Sequence, residues 1–386
     1  MLKINPLSTL YVGIDVSSKS NYVCALDFYK NKYINSSFAN NQPGAEELAL
    51  KILECLKEHP DITTIVAALE STSVYSIHIA NYLSSCEELM RFKPYVFVLN
   101  PKCTANYKKS YIGLGKSDPI DAFVIADYAR AGNIESEPWR GSQFLALKRL
   151  TRHRLHLVEC MTREKTYLVS NLYLKFSELQ MLEGDDQPFC DIYGATSSSV
   201  LMEYFSPEEI LDSSEEDLIA FLAKKSRNRI KDISKTADLL KKAARDSYRL
   251  DKALYEPLNV SIASSFNCIE TFKREIKVID NAIEKEIKGL NPNAFIILQS
   301  IDGIGPVFAG GIIAEIGDIT AFHSSDALAK YAGLTWKSNQ SGAFDGEDTP
   351  MIKAGNRYLR YYLGEAANSM RKHNVEYGTY YRKKYN

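Results

Sequence analysis

The sequence predicts a mixed α/β domain at its N-terminal end, followed by a mostly helical remainder. Three runs with β-strand character, 10–16, 22–27 and 32–38, open the chain with only short turns between them. Two further apolar runs, 63–69 and 95–99, have the length of buried strands and alternate with helical patterns. Beyond residue 140, long stretches place apolar side chains three and four positions apart, which is the spacing of helices.

The 386-residue chain is too long for one ordinary domain, and we expect three segments, 1–140, 141–290 and 291–386. With 45% hydrophobic residues, 25% charged residues and a net charge of −1, the composition is that of a globular protein and not of a polycation. The seven cysteines are scattered without a CxxC pair, which indicates reduced thiols and no zinc site. Neither a signal peptide nor a membrane-spanning stretch is recognisable. We therefore expect a cytoplasmic protein that has no membrane partner.

A single carboxylate, Asp15, stands at the end of the first strand among Tyr11, Val12, Ile14 and Val16. An ionised carboxylate in such surroundings is costly unless it meets a cation or several hydrogen-bond donors. It could hold a divalent metal in a nuclease, precede a phosphate loop in an actin-like kinase, or merely cap a turn. The kinase interpretation fits poorly, because no second Gly-rich phosphate loop follows a strand in the later half of the chain.

Further acids follow at the ends of predicted elements. Glu70 ends the run 63–69, and Asp118 is placed as the N-cap of a helix with Pro119 at its first position. Asp121 lies three residues later on the same helix face. A capped surface helix would explain Asp118, but it explains Asp121 less well.

The order β-β-β-α-β-α-β, with acids at strand ends, predicts a ribonuclease H-like (RuvC-like) fold. Asp15, Glu70, Asp118 and Asp121 could then converge on Mg²⁺ or Mn²⁺ ions, which in two-metal phosphoryl transfer lie roughly 3.5–4 Å apart.

The middle of the chain changes sign sharply. After a long helix at 141–175, residues 176–223 hold 12 Asp or Glu and no Lys or Arg, whereas 224–252 hold 11 Lys or Arg and four Asp. We expect the basic segment to bind nucleic acid through Lys241, Lys242 and Arg245, and the acidic segment not to.

An apolar seam at 262–290 follows the charged segments. It fits a hairpin with the 141–175 helix, an oligomeric coiled coil or ordinary bundle packing.

Two features of the last segment suit nucleic acid. Apolar helices flank the turn Gly303-Ile-Gly305, as in a helix-hairpin-helix whose backbone amides bind phosphate, although a plain αα-hairpin has the same pattern. After a loop at 333–350, residues 353–384 interleave eight Lys or Arg with six Tyr. Arg357 and Arg360 are candidate phosphate contacts there, unless the helix buries its tyrosine face.

Taken together in their order, these motifs resemble the DEDD-type transposases of bacterial insertion sequences, the bridge-RNA-guided recombinases related to the Piv DNA invertases. The resemblance covers residues 9–140 and 292–386, while the middle is matched only in being helical and charged. It rests on Asp15, Glu70, KSDPIDA around Asp118 and Asp121, and then IDGIGPVFAGGIIAEIGD, ALAKYAGL, NQSG and GNRYLRYYLGEAA.

The resemblance implies an enzyme that excises and inserts its own element. It implies a metal-dependent RuvC-like domain, a helical linker and a C-terminal domain with a nucleophilic serine at the position of Ser341. The residues themselves do not favour Ser341 over Ser324, Ser325 or Ser338. Also implied are a homo-oligomer (dimer or tetramer) and a structured noncoding guide RNA that pairs with donor and target DNA. A RuvC-like nuclease that uses water and a non-enzymatic nucleic-acid-binding protein are the alternatives.

Overall fold

The computed structural model describes residues 4–71, 74–134, 138–139, 141–336, 340–341, 344–345 and 349–385, with the backbone alone at 142, 340, 341, 344 and 345. By internal packing the chain forms two compact units. The first comprises Met1–Ala146 and Gly317–Leu328, and the second Leu147–Ile316 and Ala329–Asn386. Among the described residues, no helix combines the length and the hydropathy that a bilayer span requires.

A five-stranded mixed sheet lies at the centre of the first unit. Its strands are β1 (Thr9–Val16), β2 (Ser20–Leu26), β3 (Lys32–Ala39), β4 (Thr64–Glu70) and β5 (Tyr95–Leu99). The order is β3-β2-β1-β4-β5, with β1 antiparallel to β2 and parallel to β4. The central strand β1 is buried on both faces, which explains its nearly continuous apolar sequence. The predicted strands and the α/β class are confirmed, and the strand order is consistent with a ribonuclease H-like fold.

Helices cover both faces of this sheet. They are α1 (Gln42–Glu58), α2 (Ser76–Ser85), α3 (Glu87–Met90), α4 (Pro101–Lys108) and α5 (Asp118–Arg130). The helices α1 and α2 share one apolar cluster with the side chains of Val12 and Ile14. The helix α5 packs on the opposite face, with Tyr11 and Val66. Since side chains alternate along a strand, Asp15 faces the same side as Tyr11, towards α5.

The start of α5 differs from the prediction by one residue. Ser117 is the N-cap, with extended backbone angles, and Asp118 is the first residue of the helix. The predicted N-cap role of Asp118 is therefore wrong. Its carboxylate still lies in the first turn, where a negative charge interacts favourably with the helix dipole.

The rest of the chain is mostly helical. Its elements are α6 (Ser142–Lys175), α7 (Ala195–Glu203), α8 (Pro207–Asp212), α9 (Glu215–Ser226), α10 (Ile233–Asp246), α11 (Lys252–Leu290), α12 (Pro292–Gln299), α13 (Pro306–Ile316), α14 (Ser325–Ala332), β6 (Gln340–Ser341), β7 (Phe344–Asp345), α15 (Arg357–His373) and α16 (Val375–Tyr385).

The long helices α6 and α11 form an antiparallel hairpin. Leu147, near the start of α6, shares an apolar cluster with Ile283 in the later part of α11. Leu172, near the end of α6, shares another with Ile262 in the earlier part of α11. The apolar seam at 262–290 is thus an intramolecular helix pair, one of the arrangements that its spacing predicts.

The acidic and basic segments of the middle region pack together. Helices α7 to α10 share one apolar core, to which Leu218, Leu222 and Leu240 contribute. Around it, basic side chains of 224–252 contact acidic ones of 176–223 in the ion pairs Lys225–Glu203, Lys242–Asp186 and Arg249–Glu208. In addition, Lys241 Nζ donates a hydrogen bond of 2.7 Å to the Ser213 carbonyl. Part of the basic charge that the sequence assigns to nucleic acid is therefore used inside the protein.

Candidate active site

Three of the predicted acids line one pocket at the carboxyl ends of β1 and β4. Ile14 pairs with Leu69 across the parallel strands, so that Asp15 and Glu70 are the next residue on each strand. Together with Asp121 they line a pocket of about 510 Å³. Two neighbouring strands and the first turn of α5 therefore bring these carboxylates to one sheet edge.

The position of α5 depends on Gly13. A Cβ at Gly13 would lie 2.2 Å from the carbonyl oxygen of Ala122 and 2.3 Å from the backbone nitrogen of Ala126. The backbone of α5 can approach β1 this closely only over a glycine. Gly13 and Asp15 are two residues apart on the same strand face, and the first turn of α5 therefore lies beside Asp15. A glycine inside an apolar strand pattern was the available sequence signal for this contact.

Negative charge is concentrated around Asp15. The pKa of Asp15 is raised to about 6 from an ordinary value of 3.8, first by burial and then by the carboxylates of Asp121, Asp118 and Glu70. The ammonium of Lys108 acts in the opposite direction. The pKa of Asp15 thus reflects all four predicted acids, including Asp118.

Two side chains of α4 contact the acids directly. Thr104 Oγ1 donates a hydrogen bond to Glu70 Oε1, and Lys108 Nζ lies 2.5 Å from Asp121 Oδ1 in an ion pair. No motif or spacing in the sequence points to Thr104 or Lys108, because only the packing of α4 beside β4 and α5 brings them here.

The donor set suits a hard divalent cation such as Mg²⁺ or Mn²⁺, which prefers carboxylate oxygens. As the described side chains stand, however, no group of three or more His, Cys, Asp or Glu could hold a metal ion. Lys108 supplies the positive charge next to Asp121, and the Thr104 hydroxyl contacts one oxygen of Glu70. The carboxylate oxygens of these acids are thus of the kind that binds Mg²⁺ or Mn²⁺. In this structure, however, Lys108 provides the positive charge beside Asp121.

A buried carboxylate anchors the chain that leads into this pocket. Asp127 accepts hydrogen bonds from Tyr107 Oη at 2.8 Å, from Arg130 Nε at 2.7 Å, from Lys30 Nζ and from Tyr111 Oη. Burial alone would raise the pKa of Asp127, but these donors hold it below its ordinary value. The end of α4 and the start of the loop that carries Gly115 and Lys116 to the pocket are therefore fixed to α5.

The candidate nucleophile lies in the second unit. Ser341 belongs to the two-residue strand β6, and its backbone pairs with Phe344 of β7. Its side chain lies outside the described part of the structure. The nucleophilic role of Ser341 stays a prediction.

The two glycines of the predicted phosphate-binding turn differ in their surroundings. Gly303 has a φ of +97°, and a Cβ there would lie 2.8 Å from the backbone nitrogen of Met370 in α15. This glycine thus has a packing role between the turn and α15. A Cβ on Gly305 would meet no described atom within 4 Å, which leaves that side of the turn accessible.

The predicted basic contacts also divide into engaged and exposed residues. Arg360 Nη1 donates to the carbonyl oxygens of Ala332 at 2.9 Å and Lys353 at 3.1 Å, which ties the loop before α15 in place. Arg357 and Arg245 are exposed, and the Arg357 guanidinium lies 4.7 Å from the Tyr358 ring. Arg245 and Arg357 therefore have exposed side chains, and their contact with phosphate stays a prediction.

A buried glutamate joins three helices of the second unit. Glu315 of α13 receives two hydrogen bonds from Arg152 of α6, at 2.8 and 2.9 Å, and one of 2.8 Å from Asn356 Nδ2. The Asn356 side-chain oxygen also caps α15. This network fixes the GNRY motif at the start of α15, although the sequence of the motif did not indicate Glu315 as its partner.

Two regions of the chain match models of transposase families. A model described as "Transposase", for the DEDD type of IS110 elements, matches residues 12–177, and one described as "Transposase IS116/IS110/IS902 family" matches residues 296–382. The two matches largely coincide with residues 9–140 and 292–386, which carry the resemblance described above.

Curated relatives agree with these matches. The chain is 25% identical over 357 residues to the insertion element IS900 uncharacterized 42 kDa protein of Mycobacterium paratuberculosis, which covers 92% of this chain and 83% of the relative. It is 24% identical over 376 residues to the insertion element IS116 uncharacterized 44.8 kDa protein of Streptomyces clavuligerus, with 94% and 85% covered. The pilin gene-inverting protein of Moraxella bovis is 27% identical over 160 residues, which is 42% of this chain and 46% of that protein. The chain belongs to the DEDD-type insertion-sequence transposases of the IS116/IS110/IS902 family.

Proposed function

We propose that this protein is a divalent-metal-dependent DNA recombinase that excises and inserts an insertion-sequence element through a covalent bond between Ser341 and DNA. The observation that carries the proposal is the pocket at one sheet edge that Asp15, Glu70 and Asp121 line, together with Asp118, whose carboxylate also raises the pKa of Asp15. That edge lies in the region that the DEDD transposase model matches.

Neighbouring residues hold three of these acids in place for binding a metal. Asp15 and Glu70 stand on paired strands, Thr104 orients the carboxylate of Glu70, and Lys108 balances the charge of Asp121. Mg²⁺ or Mn²⁺ bound by the four carboxylates would polarise a DNA phosphate and stabilise the charge of the displaced oxygen. With a pKa of about 6, Asp15 is mostly ionised at neutral pH and can serve as a ligand.

A serine nucleophile explains how strands could be rejoined. The Ser341 oxygen would bond to phosphorus while a DNA hydroxyl leaves with a proton, so that the phosphodiester energy is kept in the protein–DNA ester. A DNA hydroxyl of the new partner strand would later displace the serine. The name of the Moraxella relative, a pilin gene-inverting protein, supports a recombinase over a plain nuclease, since inversion requires rejoining.

The resemblance extends this proposal to partners. A structured noncoding guide RNA would pair with donor and target DNA and provide the sequence specificity, while the protein would contact shape and phosphate. A homo-oligomer would allow the serine domain of one subunit to serve the acid pocket of another.

The proposal is tested with labelled donor DNA, Mg²⁺ and RNA transcribed from the noncoding DNA that flanks the reading frame. On a denaturing gel the wild-type protein should give a shifted DNA–protein band, and mass spectrometry should map the link to residues 338–344. Asp15→Asn should give neither cleavage nor adduct. Ser341→Ala should bind DNA and RNA without forming an adduct, whereas the neighbouring Ser338→Ala should still form it.

Other results would support the alternatives. Cleavage by Ser341→Ala would assign the protein to the nucleases that use water, and an adduct on another residue would overturn the choice of serine. Binding of nucleic acid without any metal-dependent cleavage would indicate a non-enzymatic binding protein.

A further inference from the structure

The helix α16 is almost entirely uncovered. Of its eleven residues only Gly378 is buried, while Tyr377, Tyr380 and Tyr385 are 51%, 62% and 78% exposed. A helix of this length is marginal in water when it stands alone, and most helices in proteins are stabilised by packing of one face. The exposed face of α16 is therefore suited to a partner.

The exposed face combines aromatic rings with positive charge. The Arg371 guanidinium of α15 lies 4.6 Å from the Tyr381 ring, and Tyr381 is stacked on Tyr385 with 5.5 Å between ring centroids and 17° between planes. Tyr381 thus contacts both the Arg371 guanidinium and the exposed ring of Tyr385. On a neighbouring part of the helix surface, Lys384 Nζ lies 5.9 Å from the exposed Tyr380 ring.

A basic crevice adjoins these rings at the corner between α15 and α16. It has a volume of about 410 Å³, and its lining includes Arg371, Lys372, Asn374, Tyr381 and Arg382. Its volume is within the range of small-molecule sites and could admit a nucleotide. Three cationic side chains and one aromatic ring are groups that recognise a phosphate and a base.

We propose that α16 and this crevice bind an unpaired strand of nucleic acid, an inference that rests on the proposed function and assigns a partner surface to it. Bases would stack on Tyr377, Tyr380 and Tyr385, and phosphates would contact the cationic side chains of the crevice. In a duplex the base faces are already stacked, so an unpaired strand fits the exposed rings better.

Charge complementarity favours a polyanion over other occupants of this face. The helix carries Arg382, Lys383 and Lys384 against the single acid Glu376. Its one exposed aliphatic side chain is Val375, whereas a membrane-bound helix would present a broad aliphatic face. A displaced DNA strand and a loop of RNA share the required chemistry.

The test measures fluorescence anisotropy of labelled oligo(dT) and oligo(U) of about 12 nucleotides, together with a duplex of the same length. The test variant replaces the three most exposed tyrosines of α16, as Tyr377→Ala, Tyr380→Ala and Tyr385→Ala. The matched control replaces three tyrosines of comparable exposure elsewhere, as Tyr29→Ala, Tyr167→Ala and Tyr173→Ala, which are 73%, 58% and 42% exposed.

We expect the test variant to bind single strands at least roughly tenfold more weakly, with duplex binding unchanged, because each lost ring removes a stacking partner. The control should bind like the wild type. Lys372→Gln with Arg382→Gln, two exposed cations of the crevice, should lower the salt slope of single-strand binding by about 1–2. Tighter binding of oligo(U) than of oligo(dT) would identify RNA as the source of the strand, and the opposite order would identify DNA.

Equal single-strand affinity in the test variant and the wild type would overturn the proposal. The proposal would also be overturned if the test variant kept its single-strand affinity but lost oligomers in light scattering. The same holds if it kept that affinity but lost binding to anionic phosphatidylserine vesicles. Asp15→Asn should bind single strands like the wild type. Failure of α16 to bind is therefore distinguishable from failure of the proposed DNA cleavage, which is measured separately.

Discussion

Gly13 and Ala122 are in contact through their backbones: a Cβ on Gly13 would lie 2.2 Å from the Ala122 carbonyl oxygen. This contact sets how closely α5 approaches β1. Since Asp15 follows on β1 and Asp121 precedes Ala122 on α5, it also sets the spacing of two acids of the candidate active site.

Gly13→Ala should therefore damage both stability and activity. The added methyl group meets backbone atoms, which cannot move aside as a flexible side chain can, and overpacking of this kind costs about 1–3 kcal/mol or more. Thermal unfolding and donor DNA cleavage measure the two effects. Gly364→Ala, on the exposed side of α15 where a Cβ would meet no described atom within 4 Å, should be neutral or slightly stabilising. Equal stability of both variants would contradict this account of Gly13.

Asp15→Asn should stabilise the metal-free protein at neutral pH. The pKa of Asp15 is about 6 in the folded chain, against an ordinary value of 3.8, so the folded state binds more protons between these pH values. The contribution of Asp15 to stability therefore falls as the pH rises through this window. The variant should melt at a higher temperature than the wild type at pH 7.5, and the difference should shrink at pH 4.

Two controls accompany the melting curves of Asp15→Asn. The exposed Asp61→Asn should not show this pH-dependent difference, and added Mg²⁺ should raise the melting temperature of the wild type more than that of Asp15→Asn. A variant less stable than the wild type at pH 7.5 would contradict the crowding of negative charge around Asp15.

Lys108→Met should bind Mn²⁺ several-fold more tightly than the wild type. The lysine ammonium occupies the position next to Asp121 Oδ1, where it competes with an incoming cation for the same carboxylate. Isothermal titration calorimetry of the metal alone measures the effect without DNA. Lys109→Met, at the exposed neighbouring position, should leave the affinity unchanged. Weaker or equal binding by Lys108→Met would show that the lysine does not compete with the metal.

Arg245→Glu separates nucleic-acid binding from folding in the basic segment. Arg245 is exposed, whereas Lys241 donates a hydrogen bond to the Ser213 carbonyl. Arg245→Glu should weaken binding of donor DNA and lower its salt slope by about 1 while the melting temperature is unchanged. Lys241→Glu should lower the melting temperature as well. An unchanged salt slope in Arg245→Glu would remove this residue from the proposed interface.

Most strands of the first unit and the acids at their ends could be predicted from the sequence. These strands are short, apolar and rich in β-branched residues, which gives them a recognisable pattern. The same patterns could not show Lys108 and Thr104 beside those acids, since tertiary packing alone brings α4 there. The pairing of charges was hidden from the sequence for the same reason. The basic run 224–252 predicts a contact with nucleic acid, and this stays a prediction, but part of its charge is paired with acids of 176–223 around one helical core.

One hydrogen bond of the second unit has a consequence for how the protein is made. Tyr362 is fully buried, and its hydroxyl donates to the Thr151 carbonyl oxygen at 2.7 Å across a sequence separation of 211 residues. During translation α6 leaves the ribosome long before α15 has been synthesised. The apolar cluster that contains Leu147 and Ile283 is therefore incomplete until Tyr362 of α15 can join it. A nascent transposase of this kind becomes complete only when its C-terminal segment has been synthesised. Premature termination before α15 would leave this core open and exposed to proteases and chaperones.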